Sequence, residues 1–232
     1  MSQKTLQHPM IDFFISILIP SVILMKLSGP GQLGEVNSLI LALAFPLGWG
    51  GYELIRTKRW NFISLLGFAS VLLTGGIGLL HIDSQWLAVK EAAIPGIIGV
   101  AVFISAYIRH PFIRTLLYNP LIINTQKIHT ALVERGSVEQ FEKCLTKATY
   151  LLSTTFFFSS GMNYLLAKMI VHSPSGTTAF NEELGRLTIL SYPFIALPSM
   201  FLMVLLMIYI WRSVHKLTGL KLEDIIVVKE KK

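Results

Sequence analysis

The chain has 232 residues, of which 53% are hydrophobic and only 14% are charged, and its formal net charge at pH 7 is +7. Soluble domains carry about 25% charged residues on average, so this composition excludes an ordinary soluble protein and indicates one that lies in the lipid bilayer. The basic residues avoid the apolar runs and form a few clusters. That pattern is typical of membrane orientation signals rather than of nucleic-acid binding.

Six apolar runs are long enough to cross a bilayer, which requires about 20 such residues. They occupy positions 11–27, 38–55, 62–80, 92–108, 149–171 and 187–211. The sequence therefore predicts an all-α, polytopic membrane protein with six transmembrane helices. We expect residues 1–232 to form a single integral membrane domain.

The loops between the runs predict how the protein is oriented. Sixteen of the 20 Lys and Arg residues fall on one set of alternate loops. The positive-inside rule places this set, and with it both termini, in the cytoplasm. The third and fourth runs then form a hairpin whose short polar turn lies on the outer side, and we expect that turn to hold Asp83, Lys90 and Glu91 at the bilayer edge.

The long connection between the fourth and fifth runs, residues 109–148, lies on the cytoplasmic side in this topology. Ile128 and Leu132, and later Phe141 and Leu145, recur at helical spacing among basic residues. We expect this amphipathic connector to lie along the inner leaflet, with a helix that docks a partner protein as the alternative. The basic tail, residues 212–232, is expected to contact anionic lipid in a similar way.

A polar stripe in the fifth run is the strongest candidate for a transport pathway. Thr155, Ser159 and Asn163 are spaced four residues apart, which places them on one face of a helix. Prolines in or near the apolar runs, including Pro20, Pro95 and Pro193, remove backbone donors and free carbonyl groups, as in the interrupted helices of transporters. Helix packing explains both features equally well as an alternative.

Charged residues near the runs form two candidate groups. On the outer side, Lys90 and Glu91 are expected to form an electrostatic network with residues at the start of the sixth run, namely Glu182, Glu183 and Arg186. At the inner edge, Glu53 lies three residues before Arg56 and is either half of an interfacial ion pair or a functional charge.

Five segments carry a resemblance to a known family. They are 61–64 (NFIS), 72–78 (LLTGGIG), 86–95 (WLAVKEAAIP), 180–186 (FNEELGR) and 191–193 (SYP). Over nearly its whole length the chain resembles an uncharacterised bacterial inner-membrane family that is loosely grouped with intracellular septation protein A. The resemblance implies six helices in a Gram-negative inner membrane. The family supplies no agreed substrate or active site.

The motifs of known catalytic sites are absent from the sequence, including H-E-x-x-H, G-x-S-x-G and the Walker loop. We therefore predict that the protein is not an enzyme and binds neither a cofactor nor a metal ion; the single Cys144 has no metal-ligand spacing. The proline-interrupted helices and the polar stripe favour a transporter, or transport component, for a small molecule. The alternative is a non-enzymatic cell-envelope or septation-related scaffold that binds a membrane protein partner through the connector and the tail.

Overall fold

A computed structural model describes residues 13–57, 62–108, 111–117 and 123–225. These residues form helices and turns without a β-strand, which confirms the all-α prediction. A π-helix, Phe14–Leu18, leads into the first α-helix, and a second one, Tyr192–Ala196, connects two later α-helices. The α-helices are α1 (Ile19–Leu27), α2 (Gly34–Thr57), α3 (Phe62–Leu79), α4 (Gln85–Tyr107), α5 (Phe112–Leu117), α6 (Thr125–Glu134), α7 (Val138–Ile170), α8 (Thr178–Ser191), α9 (Leu197–Thr218) and α10 (Leu222–Ile225).

The described part of each of the six predicted spans lies mainly on a helix or on a continuous run of helical segments. Two of these, α4 and the continuous helix Thr178–Thr218, are long and apolar enough to cross a membrane by length and composition. Phe14–Leu27 and Leu65–Leu79 are shorter apolar helices. The all-helical architecture is thus compatible with a membrane protein, and the six-span topology stays a prediction.

The prediction for the start of α4 was wrong. We expected the apolar run to begin at residue 92, with Lys90 and Glu91 in the preceding turn. Instead Asp83 begins the helix earlier, because its Oδ1 accepts a hydrogen bond from the Gln85 N–H at 2.9 Å and its carbonyl accepts one from Trp86. Lys90 and Glu91 therefore lie inside α4.

The prolines are accommodated within helical structure. The first π-helix ends shortly before Pro20, and the second contains Pro193. Pro95 lies inside α4, which continues past it. A π-helical turn carries one extra residue, and such turns occur frequently at functional sites. An aromatic contact joins the starts of the two π-helical segments. Phe13 precedes the first segment and Tyr192 begins the second, and their rings meet edge to face with centroids 5.0 Å apart.

The chain divides into two compact units, and the first comprises Met1–Ile94 and Ser160–Ala196. Its core contains Leu39, Leu87 and Phe180, which are at most 1% exposed. Helices α1 and α8 approach closely in this unit. A side chain at Gly185 would place its Cβ 2.9 Å from the Ser21 carbonyl oxygen, so only glycine fits there without a shift of the backbone.

The second unit, Pro95–Ser159 and Leu197–Lys232, contains the connector. We expected the apolar face of the connector to lie on the inner leaflet, and this was wrong. The residues that define this face are buried in the protein, because the C-terminal half of α9 covers them with an apolar stripe of its own. The connector contributes Ile128, Leu132, Phe141 and Leu145, and α9 contributes Leu206, Ile210 and Val214.

The tail is also partly folded against this unit. Ile225 is buried, and its carbonyl accepts a hydrogen bond from the Asn124 N–H at 2.8 Å. The predicted lipid contact of the tail therefore concerns its polar groups and residues 226–232, which lie outside the described part of the chain.

Candidate functional site

A cavity of about 650 Å³ lies in the first unit, between the α3–α4 turn and the loop that joins α7 to α8. Its polar lining consists of His81, Asp83, Ser84, Gln85, Lys168, His172 and Ser175. Its apolar lining consists of Ile82, Ala88, Ala167, Val171 and Pro174. A concave site that combines an apolar wall with a few convergent polar groups is the usual form of a small-molecule binding site.

Two hydrogen bonds join the two sides of the cavity wall. The Ser175 hydroxyl donates to the Ile82 carbonyl at 2.5 Å, and His81 Nδ1 lies 3.1 Å from the Ser175 carbonyl oxygen. Because a carbonyl oxygen only accepts, Nδ1 carries the proton in this contact. The His81 backbone has φ 53°, a conformation that is uncommon for residues other than glycine. The turn thus tolerates backbone strain where it meets the loop.

Gly176 allows this close contact. Its φ is 80°, and a Cβ at this position would lie 2.1 Å from His81 Cε1. Any other residue would both strain the backbone and collide with the imidazole ring. The sequence analysis did not single out Gly176, because the contact joins residues that are far apart in the chain.

Glu183 fixes the other end of the loop. Its carboxylate accepts hydrogen bonds from the N–H groups of His172 and Ser173, both at 2.9 Å, and from the Ser173 hydroxyl at 2.8 Å. The residue precedes the predicted span 187–211. Partial burial raises the pKa of the Glu183 carboxyl group, but these donors lower it by more, so the net pKa lies below its ordinary value of 4.5.

Asn181 fixes α8 to the first two helices. Thr177 caps α8, and the Asn181 side chain, one turn further along, is fully buried. Its Nδ2 lies 2.8 Å from the Glu35 carbonyl oxygen and 3.2 Å from each of the hydroxyls of Ser28 and Ser38. These partners lie about 150 residues away in sequence, at separations of 153 for Ser28 and 143 for Ser38, so no local pattern predicts the contact.

The outer charged residues form local pairs rather than the predicted network. Lys90 Nζ lies 2.7 Å from Glu91 Oε1 and donates to Thr74 Oγ1 at 2.6 Å, and its side chain is only 9% exposed. Glu182 and Arg186 form a weak, exposed pair at 3.9 Å. No ion pair joins Lys90 or Glu91 to the start of α8 in the ranges that the structure describes.

The predicted pathway residues lie outside this cavity. Thr155, Ser159 and Asn163 are all on α7, and none of them lines the cavity. Thr155 donates to the carbonyl of Leu151 in its own helix at 3.2 Å. The role of the stripe in transport stays a prediction. The side chain of Glu53, the candidate charge at the inner edge, lies outside the described part of the chain.

A neighbour of the stripe makes a contact close to Pro95. The Ser160 hydroxyl donates to the Ala92 carbonyl at 2.8 Å. This carbonyl is next to that of Glu91, which Pro95 leaves without its helical donor. Ser160 therefore supplies a hydrogen bond to the turn of α4 that the proline interrupts, and it joins α7 to α4 beyond the Ala88 and Ala167 walls of the cavity.

The cavity offers one ammonium group, one carboxylate and two imidazoles, which suits binding of a small polar molecule. Among the described residues, no three His, Cys, Asp or Glu side chains are grouped so as to hold a metal ion. The fold and the cavity together define an all-helical protein, compatible with the membrane, that has a polar site in its first unit. Comparisons with protein-family models, curated proteins and solved structures found no match to the chain.

Proposed function

We propose that the protein is a multi-pass protein of the bacterial inner membrane that transports a small molecule or forms part of a transport system. The cavity between the α3–α4 turn and the α7–α8 loop is the site at which it binds that molecule on the outer side. The observation that carries the proposal is the mixed polar and apolar lining of this cavity.

Exposed apolar side chains support a membrane location. Leu72 is 52% exposed, Ile97 67% and Phe201 63%, and each lies on one of the apolar helices. Many exposed large apolar side chains are costly in water and normal against lipid. The distribution of Lys and Arg supports cytoplasmic termini, with anionic lipid beside the basic tail.

The structural role of the prolines supports transport. Two of the irregular elements lie in the same unit as the cavity, namely the π-helical segments near Pro20 and at Pro193. The Ser160 contact also lies in this unit, which ends just before Pro95. Irregular helices of this kind are tolerated where they are buried in protein or line a cavity.

A scaffold that binds a membrane protein partner is the second candidate, in keeping with the resemblance to the septation protein A group. It has less support, because the apolar face of the connector is covered by α9. A partner would have to bind the polar surface of the connector or the tail.

The test is an uptake screen in a strain that lacks the protein, followed by complementation. Gln85 is exposed and lines the cavity, so Gln85→Trp should obstruct it. The matched control is Gln126→Trp, which makes the same change at an exposed position in the first turn of α6. We expect the control to restore uptake and Gln85→Trp to fail although it reaches the membrane in equal amounts. Full uptake by Gln85→Trp would contradict the proposal.

A further inference from the structure

We infer that the cavity recognises its small molecule through an anionic group, a carboxylate or a phosphate, and that Lys168 is the residue that binds this group. The inference rests on the proposed function, because it names the chemical class of the molecule that the same cavity takes. It follows from which charges around the cavity are already occupied.

Most charged groups near the cavity have partners within the protein. Glu183 accepts three hydrogen bonds from the α7–α8 loop. Lys90 is bound to Glu91 and Thr74. Asp83, although it lines the cavity, uses Oδ1 to cap α4. A cationic ligand would therefore share this carboxylate with the cap and bind it through Oδ2.

Lys168 differs from these groups. It lines the cavity from the last turn of α7, where the residue is exposed, and its ammonium group has neither an ion-pair nor a hydrogen-bond partner among the described residues. An ammonium group in a cleft with apolar walls projects a stronger field than the same group on an open surface. Ala88, Ala167 and Val171 supply such walls, and Ala88 and Ala167 are at most 2% exposed.

The imidazoles add polar groups to the cavity, and one of their nitrogens is already engaged. His81 Nδ1 faces the Ser175 carbonyl and therefore carries its proton, so this nitrogen offers no lone pair to a cation. His172 also lines the cavity. The first N–H groups of α4 do not contribute, because Asp83 and Ser84 already accept from Gln85, Trp86 and Leu87.

Binding of small probes to the purified full-length protein in detergent tests the inference. We would titrate inorganic phosphate and succinate as anions, glycerol as a neutral probe and putrescine as a cation, and follow binding by calorimetry. We expect the anions to bind and the other two not to. Loss of a charge-assisted hydrogen bond weakens binding by about tenfold or more, so Lys168→Gln should have at least that effect. Lys168→Arg should retain binding.

The matched control is Lys143→Gln, which removes another exposed lysine of the same helix, one that does not line the cavity. Equal weakening by Lys168→Gln and Lys143→Gln would overturn the inference, because binding would then reflect the general positive charge. Binding of putrescine or glycerol in preference to the anions would also overturn it, and so would the failure of both anions to bind at millimolar concentrations. The uptake phenotype of Gln85→Trp judges the proposed function separately.

Discussion

Replacement of Lys90 by methionine tests the interpretation of the charged residues inside α4. Methionine preserves the unbranched apolar stem and removes the ammonium group, which contacts Thr74 Oγ1 at 2.6 Å and Glu91 at 2.7 Å. A hydrogen bond to a charged group contributes about 1.5–3 kcal/mol. Removal of one partner of a fully buried pair costs about 3–5 kcal/mol.

The expected cost here is smaller than that of a fully buried pair, for two reasons. The Glu91 side chain is 28% exposed and so keeps part of its hydration, and the Thr74 hydroxyl retains its bond to the Ser70 carbonyl. The variant also no longer has to desolvate an ammonium group, which offsets part of the loss. We therefore expect Lys90→Met to lower the free energy of unfolding by about 1–2 kcal/mol. In a chain of this size that lowers Tm by about 2–8 °C.

Thermal unfolding of the purified protein in detergent measures this shift. The control is Lys143→Met, which removes a lysine whose ion pair with Glu139 is exposed, with side-chain exposures of 74% and 82%; its Tm should stay unchanged. In the double variant with Thr74→Val, the two losses should be less than additive, because both remove the same hydrogen bond. An unchanged Tm for Lys90→Met, or full additivity with Thr74→Val, would refute the reasoning.

Three further predictions concern the loop and the polar stripe. Gly176→Ala should destabilise the loop and weaken ligand binding, because the new Cβ would collide with His81. Limited proteolysis and Tm measure the loss of stability. The control is Gly161→Ala, at a helical glycine with open space around it, which should have little effect. Because the pKa of Glu183 is lowered in the folded protein, its carboxylate contributes stability at pH values above the ordinary pKa of 4.5, and this stability is lost as pH falls through the folded pKa. The Tm difference between the wild type and Glu183→Gln should therefore shrink in acid. A Tm difference that is constant with pH would contradict the assignment. If the stripe on α7 lines a pathway, Asn163→Leu should abolish transport without lowering Tm, whereas a lower Tm with unchanged transport would show that it only packs helices.

The helices could be predicted from the sequence because their signals are local. Apolar length and periodicity identify the segments that carry all six runs, and the helical spacing of Ile128 and Leu132 is reproduced in α6. What covers that apolar face was not predictable from the connector alone. The sequence pattern is the same for a face that lies on lipid and for one that lies on α9.

The site was less predictable, since its defining contacts join distant residues. His81 and Ser175 are separated by 94 positions, and Lys90 and Thr74 lie on neighbouring helices. The emphasis on apolar runs also placed Lys90 and Glu91 outside α4, although Asp83 followed by Ser84 is a typical helix-start signal. No local pattern distinguishes a cavity-lining residue such as Lys168 from any other charge near a bilayer edge.

The central claim is that the cavity binds a transported molecule on the outer side. The most direct test is to label single cysteines in spheroplasts with a membrane-impermeant thiol reagent. In a Cys144→Ser background, Gln85→Cys reports on the cavity and Gln126→Cys reports on the connector. The account predicts that Gln85→Cys reacts in intact spheroplasts and is protected by the transported compound, while Gln126→Cys reacts only after permeabilisation. Reaction with the opposite sidedness, or labelling of Gln85→Cys that the compound does not slow, would contradict it.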